Sequence, residues 1–166
     1  MSIRIFAVVL FILTFGSAAE AQPRPSRWSL FAGAGVSLAS VNMTTGVVRT
    51  PADAVTLTEQ FGIAYQLNSA WALRGFGLLA ETPSTGALSG AFAPAVQVRA
   101  GVWFAAAGPL VGSYPEGIDA GIFMTTGIAI PLATHVRFSW GVQTPMRLAR
   151  VHSLTIVTGL VLAYVL

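Results

Sequence analysis

One regularity constrains this chain more than any other. Over five long stretches, bulky apolar side chains alternate with small or hydrophilic ones at a period of two. In residues 55–67 one side reads Val55, Leu57, Glu59, Phe61, Ile63, Tyr65 and Leu67, the other Thr56, Thr58, Gln60, Gly62, Ala64 and Gln66. Residues 92–104 set Phe92, Pro94, Val96, Val98, Val102 and Phe104 against Ala93, Ala95, Gln97, Arg99, Gly101 and Trp103. Residues 118–132 set Ile118, Ala120, Ile122, Met124, Thr126, Ile128, Ile130 and Leu132 against Asp119, Gly121, Phe123, Thr125, Gly127 and Ala129. Val136, Phe138, Trp140 and Val142 alternate with Arg137, Ser139, Gly141 and Gln143, and Leu154, Ile156, Leu160, Leu162 and Tyr164 with Thr155, Val157, Gly159, Val161 and Ala163. Successive side chains of a strand point to opposite faces, so this is the pattern of strands with two unlike sides.

The small side decides which kind of sheet is built. A soluble sandwich turns its bulky face inward and offers a charged face to water. Here the second face is mostly glycine, alanine and threonine, which suits the crowded interior of a narrow barrel. The bulky face is then left for hydrocarbon. Composition agrees: 54% of residues are apolar and 9% charged, against about 25% charged in ordinary globular chains. A mean hydropathy of +0.71 excludes disorder. With no cysteine, a disulfide scaffold and cysteine-based metal or redox chemistry are excluded as well. The basic residues are all arginines, scattered singly, with a net charge of +3 and no cluster suited to nucleic acid.

A helical solution is the competing reading, a polytopic inner-membrane protein with spans drawn from residues 102–112, 120–133 and 154–166. No stretch reaches 18 residues without a charge or proline at its edge. Glycine, threonine and β-branched residues are dense throughout, which disfavours helix. Strands crossing hydrocarbon must pair every backbone group, so the sheet has to close.

The N-terminus reads as an export signal. Arg4 precedes an apolar run over residues 5–15, and Ala19-Glu20-Ala21 supplies a small-x-small cleavage site. Residues 1–21 are expected to be removed, leaving a single barrel domain over residues 22–166. Eight strands are predicted: residues 27–39, 55–67, 71–81, 91–103, 107–114, 117–130, 135–144 and 153–166. Short turns are expected at 68–70, 105–108 and 131–134, with longer loops at 40–54, 82–90, 114–116 and 144–152. The fifth strand should be interrupted by Pro109 and Gly112. The fold class is thus all-β, an eight-stranded antiparallel up-and-down transmembrane β-barrel.

On this register Trp28, Tyr65, Trp71, Phe104 and Tyr164 gather near one end as an aromatic girdle. Arg74, Arg99 and Arg137 point into the lumen with Asp119, and buried charges need partners. Gln60, Gln66, Gln97 and Gln143, with water, are the candidates, in a polar network that fills the barrel. His135 and His152 fall at opposite ends. His135 and Ser139 lie about 13 Å apart along a strand, so no nucleophile–base pair forms. Gly33-Ala34-Gly35 sits inside a strand and is not a cofactor turn. No catalytic residue, metal site or cofactor is expected.

The export signal, the segment Trp28-Ser29-Leu30-Phe31-Ala32-Gly33-Ala34-Gly35-Val36 and the alternating last strand resemble small Gram-negative outer-membrane β-barrels of the OmpA transmembrane-domain sort. Members of that family usually end in phenylalanine or tryptophan. This chain ends in Leu166, with Tyr164 two residues earlier. The resemblance implies residence in the outer membrane as a monomer, in contact with its lipids including lipopolysaccharide. It also implies handling by periplasmic chaperones and the barrel-assembly machinery. A structural or surface-interaction role or a minimal narrow pore is expected. The alternative is a lipid A-modifying enzyme, an acyl hydrolase or acyltransferase.

Overall fold

The computed structural model describes residues 27–50 and 55–166. The expected export signal and the domain boundary at residue 22 lie outside the described residues. Nine strands follow in order: β1 (Trp28–Asn42), β2 (Val48–Arg49), β3 (Leu57–Gln66), β4 (Trp71–Thr82), β5 (Ala87–Ala100), β6 (Trp103–Tyr114), β7 (Gly117–Pro131), β8 (Val136–Arg147) and β9 (Ser153–Val165). Apart from β2, each pairs antiparallel with the next. β9 returns to β1 from Ser29 opposite Val165 to Asn42 opposite Ser153. The result is a closed eight-stranded up-and-down barrel in which each of the eight long strands has a partner on both sides. β2 adds a two-residue flap to one end of β1.

The alternation sorts as the closed sheet requires. On β7, Ile118, Ile122, Met124 and Ile130 face outward while Asp119, Phe123, Thr125 and Ala129 are buried inside. The interior is packed across its middle. Phe31, Phe76 and Phe123 form a chain of tilted rings with centres 5.1 and 4.8 Å apart. Leu78, Leu110 and alanines from several strands fill in around them. Gly62 makes room for this chain: a Cβ there would lie 2.6 Å from Phe31 Cζ. Outward hydroxyls are disarmed locally. Thr126, Thr144 and Thr158 donate to the carbonyls of Phe104, Met124 and Gly141 on the neighbouring strand at 3.1, 3.3 and 3.5 Å.

The fifth long strand differs from the sequence reading. The turn expected at residues 105–108 lies instead at Gly101 and Val102, where Gly101 takes a φ of +61°. Glycine adopts that conformation without steric cost, and a two-residue turn of this kind matches strand twist. Pairing resumes at once, Ala100 opposite Trp103. The early turn reverses the expected parity of the residues that follow it on β6 and leaves that of β7 to β9 as the alternation has it. Phe104, expected on the outward girdle, is 8% exposed and packs in the lumen, while Trp103 is 64% exposed. Pro109 and Gly112 sit within a strand that continues to Tyr114. Strands also run longer than expected at the end away from Trp28 and Val165, where β5 begins at Ala87 and β8 reaches Arg147. Cross-strand pairing extends them into segments whose composition reads as loop.

Candidate functional site

Two polar sites share the lumen, separated by the aromatic chain. The near end, which carries Trp28 and Val165, holds the arginines of β4, β5 and β8. Arg74 Nη1 donates to Gln97 Oε1 at 2.8 Å. Its guanidinium carbon lies 4.3 Å from the centre of the Phe31 ring and 5.0 Å from that of Phe76. Cation–π contact of this kind partly replaces lost hydration. Arg99 Nη2 donates to the Ala129 carbonyl at 3.3 Å. Arg137 stands on the inward face of β8, in register with Pro131 and Ala163. Gln60 and Gln143 are buried above them.

Asp119 does not join this group. It lies toward the far end and is 2% exposed. Its carboxylate accepts from Arg147 Nε at 3.1 Å and from its neighbour Ala120 N at 2.8 Å. It also accepts from the backbone amides of Ala149, Arg150 and Val151 at 3.1, 3.0 and 3.1 Å. One buried side chain therefore organises the whole β8–β9 connection. Arg147 also reaches the exposed Glu116 at 3.2 Å and lies over the Tyr114 ring at 3.9 Å. Sequence reasoning placed Arg147 in a loop and missed this role. The available clue was its parity with Arg137, Ser139 and Gln143 along the same strand.

Above the aromatic chain the barrel opens into a cup of about 550 Å³. Its floor is apolar, with Leu78, Ala91 and Val157, and its walls carry hydroxyls. Ser40 and Thr155 lie 3.3 Å apart, and Thr56 and Thr82 3.0 Å apart. Below the floor is a second, much smaller cavity of about 10 Å³.

The near-end aromatics form an outward band. Trp28 and Tyr65 pack with ring centres 4.7 Å apart, and Trp71 is exposed. Tyr164 stacks on His135 at 5.8 Å. The His135 ring makes its hydrogen bond to the Val165 carbonyl at 3.0 Å, and His152 stands exposed at the other end. Among the described residues no serine oxygen hydrogen-bonds either histidine ring, and no three His, Asp or Glu side chains gather as a metal site.

No family model and no curated protein sequence matches the chain. Solved structures do. The barrel superposes on Neisserial surface protein A with a TM-score of 0.62, at 11% identity, covering 85% of this chain and 98% of that one. It superposes on Ail, the attachment invasion locus protein of Yersinia pestis, with a TM-score of 0.51, at 9% identity over 84% and 99% of the two chains. The chain thus has the fold of small Gram-negative outer-membrane barrels of eight strands.

Proposed function

We propose that the protein is an integral outer-membrane barrel that acts at the cell surface, with the cup facing outward and the near end in the periplasm. The filled lumen carries this reading. Phe31, Phe76 and Phe123, with Arg74 laid across the first two, stand between the cup and the near end. A barrel so plugged presents a surface and does not conduct. The apolar outward face supports placement in hydrocarbon, because large exposed apolar surfaces are not left to water. The tryptophan and tyrosine band at the near end supports an interface at that level. Outer-membrane lipids, lipopolysaccharide among them, are then the immediate surroundings. Chaperones and the assembly machinery act before insertion, and the folded protein works as a monomer.

The test is fractionation of the expressed protein combined with planar-bilayer recording. Outer-membrane recovery, heat-modifiable gel migration and an absence of conductance steps are expected. Reproducible unitary conductance from the folded protein would replace this reading by a narrow pore. A changed lipid A mass spectrum on overexpression would replace it by an enzyme.

A further inference from the structure

We infer that the small cavity at the centre of the barrel is a binding site for a single halide-sized anion, the counterion of Arg74. Two observations meet there. Arg74 Nε and Gln60 Nε2 are buried donors with no hydrogen-bond partner in the protein. Both residues line the same cavity, about 10 Å³, room for one small sphere. The hydroxyls of Thr125 and Ser139 line it too, each with a rotatable proton to donate. A site that offers several donors calls for an acceptor.

Charge selects an anion over a water molecule. An unpaired buried cation is strongly unfavourable, and a neutral guest leaves it unpaired. No carboxylate among the described residues reaches Arg74. Glu59 and Glu81 lie on the outward parity of β3 and β4, while Glu116 and Asp119 are bound to Arg147 at the far end. Arg99 adds a second positive charge within electrostatic reach. Size then selects among anions: the cavity admits a monatomic ion with slight yielding of the Gln60 and Ser139 side chains, and it excludes phosphate and sulfate. The walls of Phe76 and Phe104 keep the surroundings dry, which strengthens each ion–donor bond.

The experiment compares unfolding of the folded barrel in sodium chloride, sodium bromide and sodium gluconate at equal ionic strength. The urea midpoint should rise saturably with either halide and stay low in gluconate. Gln60→Glu places a fixed carboxylate in the cavity, so its midpoint should lose the halide dependence. Crystals grown in bromide should show an anomalous peak between residues 60 and 74. Equal midpoints in all three salts with no bromide peak would mean water alone and overturn the proposal. A Gln60→Glu variant as halide-dependent as the parent would place the effect elsewhere and overturn it too. Should that variant not fold, the bromide peak decides. Neither readout depends on the cellular role proposed above.

Discussion

Pro94 and Pro109 stand opposite each other across β5 and β6. The register is the same on both sides of them, Phe92 with Val111 and Val96 with Ala107, and no pairing is formed between these points. Ala100 and Trp103 flank the two-residue turn as a hydrogen-bonded pair, and steps of two place the prolines in the same phase of the ladder. Neither proline has an N–H to give, so both bonds of that rung are missing. Both side chains face outward, where a bilayer offers no water as a substitute.

Replacing one proline should therefore strengthen the barrel. Pro109→Val supplies an N–H to the Pro94 carbonyl and should raise stability by about 1 kcal/mol, read as a higher urea midpoint in lipid vesicles. Amide exchange around residues 93–95 and 108–110 should slow as well. An unchanged or lowered midpoint would mean that the strands avoid each other for another reason.

Asp119→Asn should cost about 3 kcal/mol, because the Arg147 guanidinium loses its buried partner. The connection over residues 148–152 should then become susceptible to externally added protease. Glu116→Gln touches the same arginine from the exposed side and should change stability by less than about 1 kcal/mol. Similar losses from the two variants would contradict the burial difference between them.

The parity shift after Gly101 separates two neighbours. Phe104→Ala should cost about 3 kcal/mol through the cavity it leaves in the lumen. Trp103, kept as the only tryptophan, should be quenched by brominated lipid, as an outward residue must be. A well-tolerated Phe104→Ala together with unquenched Trp103 emission would restore the opposite assignment.

Along β9 the penalty for an outward charge should grow with depth. Leu160 lies four residues from the Tyr164 band, roughly 13 Å along the strand, opposite Ala34 and Trp140. Leu160→Arg should cost about 2–4 kcal/mol, and Leu162→Arg less, being nearer the interface. Equal, near-zero costs in refolding titrations would show that this face does not meet hydrocarbon.

What the chain determined by itself follows from local physics. A side-chain period of two is visible without knowing any partner strand, and so is the poverty of charge on the small face. Together they demand a closed sheet with greasy outer walls. The inward positions of Arg74, Arg99, Arg137, Asp119 and the glutamines come from the same parity. Tertiary structure decided everything that depends on register and on where a turn falls. A single early turn moved Phe104 inside and Trp103 out, and cross-strand pairing carried β5 and β8 into loop-like sequence. Only the pairing of β3 with β4 brought Gln60 and Arg74 to one cavity, and only that of β7 with β8 set Arg147 against Asp119 at 3.1 Å. These meetings join side chains far apart in the chain, and no local preference encodes which rungs of a barrel will face each other.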